Sequence, residues 1–155
     1  MKAAYIQPFY KATRDVFRIM MDVEVKRGEL RLAKDLIPSK EANVIIGTTG
    51  DLSGSILYSF PKDMTLTMVK IMSGMELKEL DSFVLSALGE VANIISGNAM
   101  TYLNSENYRC DISPPHVMLG ATQSLSMATD VALVIPMLSP IGDFDINVSL
   151  RETNE

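Results

Sequence analysis

A length of 155 residues corresponds to one domain, and 47% hydrophobic against 21% charged residues supplies a normal packed core. The formal net charge of -5 argues against nucleic acid or an anionic membrane as the main partner, since both are held by basic surfaces. One Cys and one His exclude an intramolecular disulfide and a zinc site built from those ligands, and fit a reducing, cytoplasmic setting.

The N-terminal stretch MKAAYIQPFYKATRDVF interrupts its apolar residues with Pro8, Lys11, Arg14 and Asp15, unlike a signal peptide. Ile6, Phe9, Thr13, Val16 and Met20 recur at helical spacing, which predicts an amphipathic helix over about residues 8 to 22 with Pro8 in its first turn. Arg14, Asp15 and Arg18 fall on the wet side. A weak strand is expected near Glu29 to Lys34, then a loop at Pro38-Ser39-Lys40. Asn43 to Thr49 and Ser53 to Phe60 flank Gly50-Asp51-Leu52 and read as a half-buried hairpin.

Pro61-Lys62-Asp63 opens a second helix and Gly74 closes it. Met64, Met68, Met72 and Met75 form a stripe along it, either a core face filled by adaptable side chains or a plastic surface for a partner. After a long central segment, Tyr108 to Ile112 and His116 to Leu119 read as short strands broken by Pro114-Pro115. His116 has no Ser or Cys nucleophile in a recognisable frame, and Cys110 reads as a small buried apolar group. The longest apolar run, Val131 to Leu138, contains Pro136 and falls far short of the ~20 residues that span a bilayer. Ala128 to Leu138 and Phe144 to Leu150 pair across residues 139–143, and the alternation of Phe144, Ile146, Val148 and Leu150 with polar residues predicts a strand buried on one face. The tail from Arg151 is expected to be mobile. Interspersed helices and closely connected strands make the chain α+β, a mainly antiparallel sheet covered by long helices in a single domain over residues 1–155.

The central segment, Leu80 to Asn104, carries the chemistry. Val84, Leu88, Val91, Ile95, Ala99 and Tyr102 line one side at 3.6 residues per turn. The other side collects Ser82, Ser86, Gly89, Glu90, Asn93, Gly97, Thr101 and Asn104, a polar face of mostly small residues without Lys or Arg. Gly89 and Gly97 each cost roughly 0.5–1 kcal/mol against Ala inside a helix. Small residues let another backbone or a partner approach closely. Glu90 and Asn93, three apart, stand side by side with Cβ atoms about 5–6 Å apart. A carboxylate captures a cation and a carboxamide orients a water, although Glu-x-x-Asn alone is also compatible with ordinary surface residues.

Gly89-Glu90-Val91-Ala92-Asn93-Ile94-Ile95-Ser96-Gly97 resembles the signature helix of the CheC/CheX/FliY phosphatases of bacterial chemotaxis. Tyr5 to Phe17, Ile46 to Phe60 and Asp111 to Val117 agree with the CheX branch in order and spacing. No other Glu is followed by Asn three residues later, which points to one site per chain, as in that branch. The resemblance implies the same α+β architecture, a homodimer paired through its sheets, and hydrolysis of the aspartyl phosphate of a CheY-like response regulator. It implies Asn93 as the residue that orients the attacking water and Glu90 as the partner of the regulator's lysine. Ser86, Gly89 and Gly97 would admit the regulator, with Met100 as an apolar anchor at the edge. Neither cofactor nor metal is expected on this chain, and the Mg2+ is expected on the regulator. The competing reading is a non-catalytic module that binds a receiver domain through the same face.

Overall fold

The computed structural model describes residues 3–38, 40–120 and 124–154, which form three helices and one 8-stranded sheet. Helix α1 spans Ala3–Met21, so it starts well before Pro8 and carries that proline in its second turn. Tertiary anchors extend it: Tyr5 and Ile6 are buried, and the Tyr5 hydroxyl donates to Glu152 at 3.0 Å while its ring meets Tyr108 edge-on. A proline this near a helix start removes only one intrahelical hydrogen bond. Asp22 adopts φ 55°, and the Val23 N–H returns to the Phe17 carbonyl at 3.2 Å, ending the helix in a left-handed cap.

The chain then enters β1 (Lys26–Arg27) and β2 (Arg31–Pro38), later than the expected Glu29 start. The hairpin β3 (Ala42–Gly50) and β4 (Leu52–Phe60) runs in register from Ala42↔Phe60 to Thr48↔Gly54. Helix α2 (Lys62–Ser73) ends at Gly74 with φ 78°, whose N–H reaches the Lys70 carbonyl. Helix α3 (Ser82–Ser105) follows, then β5 (Cys110–Ile112), β6 (His116–Leu119), β7 (Ser124–Leu138) and β8 (Phe144–Glu152). The sheet order is β1-β7-β8-β4-β3-β5, with β2 also on β7 and β6 also on β3, and every pairing is antiparallel.

The main core lies between the helices and one face of this sheet. Phe17, Phe144 and Phe60 stack in series with centroids 5.1 and 4.6 Å apart. The other face is not left to solvent. Leu57 and Ile45 point away from the main core and pack with Ala33 of β2 and Ala132 of β7. The expectation of one-sided burial therefore fails for β4 and β8. Leu57, Asn147 and Ser149 are fully buried, and the Asn147 amide donates to the Leu57 carbonyl at 3.1 Å. β8 lies between β7 and β4 inside the sheet, and its polar Asn147 and Ser149 are buried along with its apolar residues.

The methionine stripe is core for Met64 and Met68, with Met72 packed at its edge, while Met75 lies beyond the helix and is exposed. The tail is tied down as far as Thr153, whose N–H bonds the Asp51 carbonyl at 3.0 Å and whose hydroxyl bonds Gly50, while Arg151 and Glu152 belong to β8.

Candidate active site on helix α3

Helix α3 is the central helix, and its sequence shows why. Asp81 caps it, accepting the Val84 N–H at 2.9 Å. Its only charged residue over 24 residues is Glu90. Long and apolar enough by composition to cross a membrane, it instead keeps half of that window buried inside the protein. Val84, Leu88, Val91, Ile95 and Ala99 are buried as the periodicity requires, and Ala92 and Ser96 join them. These small residues let the helix sit close to the sheet. The Ser96 and Tyr58 hydroxyls meet at 2.8 Å inside the core and fix the rotation of the helix about its axis. Burial pushes the Tyr58 phenol far above its ordinary value, and the Ser96 bond offsets only part of that shift. At the far end Tyr102 is half-buried, and its hydroxyl donates to Asp15 of α1.

With that rotation fixed, Phe83, Ser86, Glu90, Asn93, Gly97, Thr101 and Asn104 lie on the outer face. Glu90 is exposed and Asn93 half-buried, and among the described residues neither side chain has a hydrogen-bond or ion-pair partner. Two polar groups of complementary chemistry therefore project together, uncommitted to the fold. Gly97 lies four residues beyond Asn93, and a Cβ there would meet nothing within 4 Å. Ser86, one turn before Glu90, is exposed.

Two of the expected partner contacts do not lie on this open face. Gly89 is buried: a Cβ there would stand 3.2 Å from Val117 Cγ2 and 3.7 Å from Pro115. Its smallness admits the Pro115–Val117 segment, which walls one side of the Glu90–Asn93 face. Met100 is only 8% exposed and belongs to the core, on the flank of the helix that it shares with Leu103, one turn on. The apolar residue that does stand on the face is Phe83, 47% exposed. Its spacing to Ser86 and Glu90, three and seven residues, was available in the sequence. Phe83 falls at the helix start, where an aromatic residue reads equally well as core.

Three further side chains stay outside the site. His116 is exposed on β6, opposite Ile45 in the ladder. Cys110 is half-buried rather than buried, and desolvation raises its thiol pKa, the reverse of an activated nucleophile. Among the described residues no group of three His, Cys, Asp or Glu is arranged to hold a metal ion.

The chain is similar to known proteins in both sequence and fold. The family model for "Chemotaxis phosphatase CheX" matches residues 42–138. The chain is 32% identical over 150 residues, 96% of its own length and 94% of the relative's, to the CheY-P phosphatase CheX of Thermotoga maritima. The crystal structure of a CheC-like superfamily protein from Shewanella superposes with a TM-score of 0.89 at 25% identity, covering 97% of this chain and 99% of that one. A CheX–CheY–BeF3–Mg2+ complex from Borrelia burgdorferi superposes at 0.75 with 29% identity, covering 96% and 98%.

Proposed function

The chain belongs to the CheX family of chemotaxis phosphatases, and from that premise we propose that it hydrolyses the aspartyl phosphate of a CheY-like response regulator, with Asn93 and Glu90 as its working residues. The observation that carries the reading is the uncommitted Glu90–Asn93 pair on the open face of α3. The relative from Thermotoga maritima is a CheY-P phosphatase, and the related protein from Borrelia burgdorferi forms a complex with CheY, BeF3 and Mg2+.

Phospho-aspartate is an acyl phosphate and already labile. The regulator's own Mg2+ and lysine neutralise charge on the transferring group. What is left for a partner is to hold a water in line with phosphorus. A carboxamide both accepts from and donates to such a water, as the water-positioning Gln of GTPases does. Asn93 has that chemistry and no competing hydrogen-bond partner among the described residues. Glu90 pairs with the regulator's lysine and sets the register of the helix in the cleft. Gly97 keeps the far side of the face low, and Phe83 supplies an apolar contact one turn before Ser86.

The same reading includes a homodimer. Leu32, 64% exposed on β2, is an apolar side chain on the sheet that a second copy would cover. Sedimentation at micromolar concentration is expected to give about twice the 17.1 kDa chain mass, and a strict monomer at about 100 μM refutes the dimer. Cytoplasmic action, where receiver domains are phosphorylated, completes the proposal.

The direct test is a panel of phosphorylated receiver domains, with phosphate release followed with and without the protein. Faster release from at least one CheY-like receiver is expected. Receivers that bind without any acceleration identify a non-catalytic binding module instead.

A further inference from the structure

The protein is acidic overall, yet one region collects cations. Arg14 and Arg18 lie one turn apart on the exposed side of α1, and Lys26 and Arg27 form β1. The left-handed turn at Asp22 folds the chain back on itself between them. Val23 and Val25 are buried in this return, which leaves Glu24 and Lys26 facing out. β1 is then locked to β7 through Lys26↔Leu138 and Arg27↔Met137, and the Gly28 N–H bonds the Pro136 carbonyl at 2.7 Å. Between the two walls lies a cavity of about 580 Å3 lined by Tyr10, Arg14, Arg18, Glu24, Lys26 and Arg27.

Four cations face one carboxylate there. Among the described residues none of the four is within ion-pair distance of an acid, in contrast to Lys62 and Lys70, which pair with Glu79 and Glu76. The Arg14 guanidinium lies 5.5 Å from the Tyr10 ring centroid, which holds it along the wall. Like charges gathered this closely repel, and among the lining residues only the Glu24 carboxylate offsets that repulsion.

We propose that this cavity binds a small anion carrying two or more adjacent phosphate groups. The volume falls within the range of small-molecule sites, roughly 300–1,000 Å3, and exceeds what one phosphate fills. The cations stand on two walls, with Arg14 and Arg18 about 6 Å apart along α1, so a single tetrahedral anion cannot engage them all. Three of the four are the type whose planar fork of donors matches phosphate oxygens. The site lies on α1 and β1, away from the outer face of α3, and does not depend on the phosphatase reading.

The test is calorimetric titration of the full-length protein with pyrophosphate, tripolyphosphate and ATP, without Mg2+, at about 0.15 M salt. Saturable 1:1 binding below about 1 mM is expected. Arg18→Gln and Arg27→Gln should each weaken it roughly tenfold or more, the size of one lost charge-assisted hydrogen bond. Glu24→Gln should strengthen it, and Lys78→Ala, on the exposed α2–α3 connector, should leave it unchanged. Circular dichroism melts confirm that each variant is folded. ATP binding no tighter than tripolyphosphate assigns the affinity to the phosphates. Absent saturation by 1 mM, binding by both arginine variants as tight as by the unaltered protein, or tighter binding of an acidic peptide than of tripolyphosphate overturns the proposal.

Discussion

Replacing Asn93 with Ala separates catalysis from binding and folding. The side chain has no protein partner among the described residues, so its removal orphans no buried group. Ala is the better helix former by roughly 0.5 kcal/mol, so the melting temperature should stay constant or rise by about 1–2 °C for a chain of this size. The regulator's affinity should also change little, because the carboxamide's contact is with a water positioned for attack and is made fully only in the transition state. The rate should fall on the order of 10²–10³-fold, the loss of about 2.7–4 kcal/mol seen when one preorganised transition-state contact is removed. Glu90→Ala should behave differently. Its carboxylate is assigned to a charge pair across a close interface, so affinity and rate should fall together, by about 2–5 kcal/mol if the pair is desolvated. The assay is stopped-flow dephosphorylation of a receiver beside an equilibrium titration with the BeF3-loaded form. Full activity in Asn93→Ala refutes the mechanism. A parallel loss of rate and of melting temperature would show that Asn93 is structural, contrary to its side chain's lack of a hydrogen-bond partner among the described residues.

Phe83→Ala should weaken binding of the BeF3-loaded receiver by about 1–2 kcal/mol, with the maximal rate at saturation retained; unchanged affinity removes Phe83 from the interface. Gly97→Ala should stabilise the fold by about 0.5–1 kcal/mol in denaturant titration, because its Cβ meets nothing within 4 Å, while the added methyl slows dephosphorylation; unaltered turnover would show that the receiver does not approach there. Ser96→Ala should cost about 1–3 kcal/mol by leaving the buried Tyr58 hydroxyl unpaired, and a neutral result would mean that other contacts set the rotation of α3. Tyr58 has its phenol pKa raised by burial, so the folded state retains a proton that the unfolded state releases. Its contribution to stability is full below about pH 10, the ordinary tyrosine value, and is lost as pH rises above it; alkaline melts should show this decline, and Tyr58→Phe should reduce it.

The elements that the sequence determined are those whose residues face a single environment. The stripe Val84, Leu88, Val91, Ile95 and Ala99 fixed α3 and its inner side, because burial against the sheet is the only way to remove that stripe from water. The β3–β4 hairpin and the β7–β8 pairing were legible from alternation and turn residues close in the chain. Glu90 and Asn93 were legible because three-residue spacing is a local property of a helix. Tertiary structure decided whatever depended on a distant neighbour. Pro8 marks a helix start by local rule, but Tyr5, anchored on residues more than a hundred positions away, and the buried Ile6 carried the helix past it. Asn147 and Ser149 read as solvent-facing in the sequence, yet both are buried, Asn147 opposite Leu57 on the face where Leu57 packs with Ala132 of β7. Gly89 and Gly97 are alike in sequence, yet Val117 lies against one and open space against the other. Helical periodicity places a residue on a face of its own helix; only the packed neighbours determine whether that face is wall, core or surface.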